Sequence, residues 1–199
     1  MREIRISALV FGLLALCGLG AAGQECESLQ GATSQELTSY LNKIAPDRNN
    51  AECVTRAINV LASERYEPAI TALAKLLDFR RPPIGREKEG LYLHAQGLWE
   101  IYPAVNALSL IGEAALPKML DVIKNDTRSA TKRENAVFVW MQVHRNDAPL
   151  GVALLKKESD RTDEAAVRQR LNWAISQALN WCNPSEETRC RAAAAKGPS

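Results

Sequence analysis

The residue types that most often carry out catalysis are scarce in this sequence. His94 and His144 are the two histidines, and they lie in different predicted elements. This placement leaves little material for a histidine-based metal site or proton relay. The sequence also contains no glycine-rich phosphate loop, Gly-x-Ser-x-Gly turn or His-Glu-x-x-His motif. We therefore expect a protein that is not an enzyme and that holds no cofactor or metal ion.

A group of aromatic side chains is the best candidate for a binding surface. Tyr92, His94, Trp99 and Tyr102 lie in or just after the segment 79–101, which paired prolines and glycines keep from forming a long helix. Such side chains can stack on, and hydrogen-bond to, a peptide or a cell-wall glycan. The alternative is that Trp99 and Tyr102 fill a gap between packed helices. We favour this alternative, because large aromatic side chains are usually buried by packing.

Four cysteines are predicted to form two disulfide bonds. An even number of cysteines in an exported chain favours disulfides, because the compartment is oxidising. Cys26 and Cys53 lie near the start of the predicted mature chain, whereas Cys182 and Cys190 lie near its end. We therefore expect the pairs Cys26–Cys53 and Cys182–Cys190. A zinc site is disfavoured, because the cysteines lack Cys-x-x-Cys spacing and no histidine stands at ligand spacing.

Residues 1–23 are typical of a cleaved export signal. They comprise a basic start, an apolar stretch that ends at about Leu19, and the small residues Ala21 and Gly23 before the expected cleavage. An uncleaved membrane anchor is the alternative, but it would need about 20 continuous apolar residues. We expect a mature chain that is exported to a periplasm or outside the cell and that has no integral membrane segment.

The composition and charge are those of an ordinary globular domain. The 199 residues are 46% hydrophobic and 24% charged, and 25 basic residues nearly balance 23 acidic residues. This balance removes the main electrostatic support for binding to nucleic acid, which we therefore do not expect.

Helical periodicity recurs along the predicted mature chain, and strand-like alternation of apolar and polar residues is scarce. Thr33–Glu36 and Thr131–Glu134 match the capping box that begins many helices. Trp140, Trp173 and Trp181 fall on or beside apolar stripes, which predicts core packing for all three. The sequence therefore predicts an all-α fold. One clear stripe consists of Leu171, Ala174, Ile175, Ala178, Leu179 and Cys182.

Helix pairs recur along the chain, each built around an alanine in its first helix. In the first three copies a proline follows 11 to 13 residues later and opens a second helix. The fourth copy is predicted to lack a second helix and to end in a disulfide-bonded loop. Recurrence at such intervals is typical of α-solenoids. The alanines are Ala57, Ala104, Ala136 and Ala174, and the prolines are Pro68, Pro117 and Pro149.

Residues 104–112 and 114–120 resemble a HEAT repeat of the short bacterial kind. Gly112 between the helices and Pro117 in the second helix are the marks of that family. The whole chain also looks like uncharacterised exported bacterial proteins built on such repeats. The resemblance implies a short α-solenoid of about four antiparallel helix pairs, and an irregular helical bundle is the structural alternative.

These observations predict a HEAT-like domain over residues 24–191, with an insertion at 79–101 and a disordered tail at 192–199. The predicted function is a non-catalytic exported module or scaffold that binds another protein or peptide. Two alternatives stay open. One is binding of a cell-wall glycan or peptide through the insertion aromatics. The other is an enzyme of the lyase type, which the resemblance allows because some bilin lyases use HEAT-like repeats.

Overall fold

Helices are the regular secondary structure of the part of the chain that the structure describes. The computed structural model describes Cys26, residues 29–84 and residues 97–196. Each helix in these ranges is too short or too polar to cross a membrane. The all-α fold predicted from the sequence is confirmed. The helices are α1 (Ser34–Lys43), α2 (Ala51–Ser63), α3 (Ile70–Lys75), α4 (Leu98–Ile101), α5 (Pro103–Ile111), α6 (Leu116–Asn125), α7 (Ala130–Val143), α8 (Ala148–Arg161), α9 (Ala165–Leu179) and α10 (Glu187–Lys196).

Helix α1 begins with the capping box that the sequence predicts. The Thr33 hydroxyl accepts a hydrogen bond from the Glu36 amide at 3.3 Å, and the Glu36 carboxylate accepts one from the Thr33 amide at 2.8 Å. Two amides at the helix start are thereby satisfied. The Thr33 amide and hydroxyl hold the pKa of Glu36 below its ordinary value, because both donate to the charged carboxylate.

Helix α7 begins earlier than its predicted capping box. The cap is Ser129 rather than Thr131, and the Ser129 hydroxyl accepts a hydrogen bond from the Lys132 amide at 3.1 Å. Asp126 fixes the turn before the helix, because its carboxylate accepts bonds from the Arg128 and Ser129 amides at 2.9 and 3.1 Å. The predicted position was wrong because this turn, which forms between residues close together in the chain, already supplies a cap two residues before Thr131.

The prolines open second helices as the sequence predicts. Pro117 and Pro149 are the second residues of α6 and α8. Pro68 lies in the short 3₁₀ segment Glu67–Ala69 that leads into α3. In the first helical turn the missing proline amide costs nothing, because that amide has no partner within the helix.

Neighbouring helix pairs provide many of the packing contacts. The first helix of each pair packs on the first helix of the next, so that α2 contacts α5, α5 contacts α7 and α7 contacts α9. Each second helix also packs on the following first helix: α3 on α5, α6 on α7 and α8 on α9. The four alanines that define the predicted repeats, Ala57, Ala104, Ala136 and Ala174, are at most 1% exposed. Small side chains at these contacts allow the helices to approach closely.

The two described ends of the insertion are tied to each other. The Arg81 amide donates to the Ile101 carbonyl at 3.1 Å, and the Arg81 guanidinium donates to the Glu100 carbonyl. These bonds hold residues 79–84 beside α4, the short helix that leads into α5. The chain therefore leaves and re-enters the helical core at neighbouring points.

Both predicted cysteine pairs stand at disulfide-bonding distance. The Cα atoms of Cys26 and Cys53 are 5.1 Å apart, and those of Cys182 and Cys190 are 6.6 Å apart. Both separations lie in the range that a disulfide spans. The first pair joins the N-terminal segment to α2, and the second joins the turn after α9 to α10.

The disordered tail predicted at residues 192–199 is wrong as far as Lys196. Helix α10 extends through Lys196 and packs on α8, and Ala193 and Ala194 are partly buried against the core. The fourth copy therefore does have a second helix. The sequence gives little sign of it because alanines and arginines make no apolar stripe, although alanine is the strongest helix former.

Enlarging an alanine at a first-helix contact should destabilise the fold. Ala104→Leu should lower the free energy of unfolding by about 1–3 kcal/mol, because added methylenes overpack a filled contact. Ala114→Leu is the matched control, since Ala114 is exposed. Chemical denaturation of both variants measures the difference. Equal unfolding midpoints would contradict close packing at Ala104.

Removing the second disulfide should release α10. Cys190 is the one fully buried side chain of this helix, so the covalent bond, two partly buried alanines and an exposed ion pair between Arg189 and Asp147 carry its attachment. In Cys182→Ser/Cys190→Ser we expect trypsin to cleave after Arg189 and Arg191 at least about tenfold faster, in line with the roughly 2–3 kcal/mol of a short disulfide loop. Cys26→Ser/Cys53→Ser is the control, and equal cleavage of the two variants would contradict this attachment.

Candidate functional site

The aromatic residues predicted as a binding surface divide between described and undescribed parts of the chain. Tyr102 lies between α4 and α5, and its side chain is partly buried against the core. Trp99 lies in α4. Tyr92 and His94 lie outside the described residues. A binding role for these four residues therefore stays a prediction, and the packing of Tyr102 agrees with the alternative that it fills space between helices.

A groove lies between α5 and α7, and several polar side chains that line it have no hydrogen-bond partner in the described chain. Its volume is about 530 Å³. Asn106, Ser109 and Leu110 occupy one face of α5, at spacings of three and four residues. Phe138 and Gln142 occupy one face of α7 at the same kind of spacing. We call this surface the amide groove; Arg65, Gly112, Glu113, Val143, Arg145 and Asn146 complete its lining.

The polar walls of the amide groove lack hydrogen-bond partners within the described part of the chain. The side chains of Asn106, Gln142 and Asn146 bond to no other described residue. The Ser109 hydroxyl is buried and likewise has no partner there. Burying a hydroxyl without a partner costs about 1–3 kcal/mol, and such a group in a native fold calls for an explanation.

The floor of the amide groove is apolar. Phe138 is 1% exposed, whereas Leu110 beside it is 41% exposed. Trp181, which follows α9 outside the groove lining, is 45% exposed and meets the Phe138 ring edge-on, with 4.6 Å between the ring centroids. The groove thus combines unpaired carboxamides with a large apolar side chain, Leu110, that water still reaches. This combination is typical of ligand-binding concavities.

The sequence predicts core packing for three tryptophans, but the structure buries them to different extents. Trp140 is buried, and its indole nitrogen donates to the Gly151 carbonyl at 2.9 Å. Trp173 is partly buried, with the Arg133 guanidinium 5.6 Å from its ring centroid. Trp181 corrects the prediction, because nearly half of its surface is exposed. Its apolar stripe ends with α9 at Leu179, so Trp181 lies beyond the helix face that is buried.

Arg65 holds an unusual backbone conformation at the edge of the amide groove. It follows α2 with φ of 49°, the left-handed region that favours glycine. The Arg65 amide donates to the Ala62 carbonyl and the Tyr66 amide to the Leu61 carbonyl, at 3.1 and 3.0 Å. These are the bonds of a Schellman motif, in which glycine usually occupies this position. The chain keeps a guanidinium here at a cost of about 1–2 kcal/mol.

Two charged clusters elsewhere in the described chain form ion pairs among their own members. On α6 the Lys118 ammonium lies 2.6 Å from the Asp121 carboxylate, and the Asn125 amide donates to the same carboxylate at 2.8 Å. Lys118 and then Asn125 hold the pKa of Asp121 below its ordinary value. Lys132 lies between Asp78 and Asp126 at 3.6 and 3.8 Å. These groups satisfy one another, which distinguishes them from the walls of the amide groove.

A second groove of about 470 Å³ lies between α2 and residues 81–84. Its lining includes Arg56, Asn59 and Ile84, and it borders residues 85–96, which lie outside the described chain. Across the described residues, histidine, cysteine, aspartate and glutamate side chains form no cluster able to hold a metal ion. We therefore take the amide groove as the candidate site.

Sequence reasoning missed the amide groove, although one signal for it was present. Asn59 and Asn106 each stand two residues after a repeat alanine, and both line grooves. A polar residue at the same position of two repeats marks a shared face of the first helices. The facing residues Phe138 and Gln142 had no comparable signal, because they meet Asn106 only after α5 and α7 pack together.

The chain matches no family model, no curated protein and no solved structure. The resemblance to HEAT repeats therefore stays a prediction that rests on residues 104–120 and the recurring alanines and prolines.

Replacing the strained arginine by glycine should stabilise the fold. Arg65→Gly should raise the free energy of unfolding by roughly 0.5–1 kcal/mol, because glycine adopts the left-handed conformation without a Cβ penalty. Glu64→Gly is the matched control. Its φ is −87°, so glycine there should instead lower stability, because it loosens the unfolded chain and removes the carboxylate that accepts a hydrogen bond from the Ser34 hydroxyl. Denaturation midpoints that shift in the same direction would contradict strain at Arg65.

Proposed function

We propose that this protein is a non-catalytic interaction module that binds a segment of another protein in the amide groove. The observation that carries the proposal is the buried, unpartnered Ser109 hydroxyl among unpaired carboxamides, in the groove that the exposed Leu110 also lines. A bound segment would supply hydrogen-bond partners to the walls and cover the apolar floor. Both changes favour the bound state.

We further propose that the scaffold is a short HEAT-like α-solenoid. The serial contacts of α2, α5, α7 and α9 support it, as does the packing of each second helix on the next first helix. Burial of the repeat alanines at these contacts also supports it. In a solenoid each pair contacts mainly its neighbours, which leaves one side of the row of first helices available to a partner.

Export is part of the proposal. The predicted signal at residues 1–23 lies outside the described residues, and the two cysteine pairs at disulfide distance favour an oxidising compartment. A partner would then be another exported protein, in a periplasm or outside the cell.

A peptide partner is better supported than a glycan bound by the insertion aromatics. Tyr102 is partly buried against the core, which reduces the face that it offers to a sugar ring. The exposed Leu110 favours an apolar side chain over a polar sugar. No feature of the described residues favours the lyase-type alternative.

Truncating the two facing carboxamides should abolish peptide binding. A random peptide library is selected on wild-type protein, and each recovered peptide is then tested on Asn106→Ala/Gln142→Ala. We expect Kd to rise at least about tenfold, because two interfacial hydrogen bonds are lost. Asn59→Ala/Gln169→Ala is the matched control, since both residues are exposed helical amides outside the groove.

Thermal unfolding and the helical circular dichroism signal verify that the groove double variant and the control double variant are both folded. Peptides that bind the groove variant, the control and the wild type equally would overturn the proposed function. Failure of the library to yield any binder would overturn it as well.

A further inference from the structure

We infer that the partner segment is extended, uncharged at its centre and recognised through its backbone, with one large apolar side chain against Leu110. The inference rests on the proposed function and names the class of partner for the same groove. It follows from three properties of the amide groove, which are the chemistry of its walls, the shape of its floor and the position of its charges.

The walls match the chemistry of a peptide backbone. Asn106 on α5 and Gln142 on α7 each present a carbonyl acceptor and an amino donor, and a peptide group presents the same two functions. Ser109 adds a hydroxyl that can donate or accept. Because α5 and α7 contact each other, these side chains flank one groove. An extended segment can therefore exchange hydrogen bonds with both helices at once.

A helical partner would not satisfy these walls. The backbone amides and carbonyls of a helix interior are already bonded within the helix, so they are not free to pair with carboxamides. The exposed backbone of an extended segment has both groups available, as in other modes of strand-like recognition. The groove volume of about 530 Å³ also lies within the roughly 300–1,000 Å³ of ligand-sized sites, which suits a short segment rather than a folded domain.

The floor defines the side chain that the segment must carry. Leu110 lines the groove together with the buried Phe138 and is more than two-fifths exposed. A large aliphatic or aromatic side chain placed here removes apolar surface of both molecules from water. Buried apolar anchors of this kind carry most of the affinity in protein interfaces.

The charges of the groove lie at its rim. Arg65, Glu113 and Arg145 are all exposed and form no ion pair with a described residue. The ends of α2, α5 and α7 lie beside these residues, and their partial negative charges offset much of the excess guanidinium charge. A charged group at the centre of the segment would therefore be desolvated without a buried counter-charge. An uncharged centre avoids that cost, and rim charges act mainly on the rate of association.

The closing experiment uses synthetic fluorescein-labelled copies of the library peptides whose binding depends on Asn106 and Gln142. Fluorescence anisotropy measures Kd for each peptide, for a copy with N-methylated central peptide groups, and for copies with a central aspartate or lysine. We expect Kd to rise at least about tenfold on N-methylation and on introduction of either charge. Raising NaCl from about 0.05 M to about 0.5 M should change Kd less than about threefold.

The apolar anchor is tested on the protein side. Leu110→Ala should weaken binding of the unmodified peptide at least about fivefold. Leu150→Ala is the matched control, because Leu150 is 44% exposed on α8, outside the groove. Its Kd should stay within about twofold of wild type.

Failure of the inference is distinguishable from failure of the proposed function. Groove-dependent peptides rich in acidic residues, with strong salt dependence and loss of binding in Arg65→Gln, would keep the groove as the binding site and overturn the uncharged partner. Unchanged Kd on N-methylation would overturn backbone recognition. Binding of chitotetraose that is lost in Asn106→Ala/Gln142→Ala, with no groove-dependent peptide, would overturn both proposals.

Discussion

Close approach of the first helices at alanine is the constraint on which the rest of the structure depends. Ala57, Ala104, Ala136 and Ala174 are buried on α2, α5, α7 and α9, and these helices contact one another in series. A larger side chain at any of these points would separate neighbouring helices, and close-packed interiors do not absorb added volume without strain. The separation of α5 and α7 in turn determines the width of the amide groove, so the packing of the core also shapes the candidate site.

The amide groove concentrates features that oppose stability. Arg65 occupies a conformation that favours glycine, and the Ser109 hydroxyl is buried without a partner in the described chain. Each feature costs on the order of 1–3 kcal/mol, a sizeable share of the 5–15 kcal/mol that stabilises a typical domain. Strain and unsatisfied polar groups cluster at functional sites because surrounding packing enforces them. Their coincidence with the exposed Leu110 is the physical basis for assigning function to this groove.

Disulfide distances at both ends of the described chain show how its weakest elements are attached. Helix α10 contributes one fully buried side chain, Cys190, and otherwise only alanines that are partly buried. Such a helix gains little from burial, so the link to Cys182 is a large part of its attachment. Trp181 precedes Cys182 and contacts Phe138 on the groove floor. The covalent link therefore also limits the positions that Trp181 can adopt against Phe138.

The sequence by itself determined the all-α class, the capping box at Thr33, the prolines in first helical turns and both cysteine pairs. These features depend on residues near one another in the chain, or on the number and placement of the cysteines, and both can be read without a fold. Only the tertiary structure decided that Trp181 is exposed, that α10 packs on α8, and that Asn106 and Gln142 line one groove. The physical reason is that burial and groove formation depend on which distant helix faces meet, and local sequence periodicity does not encode that pairing.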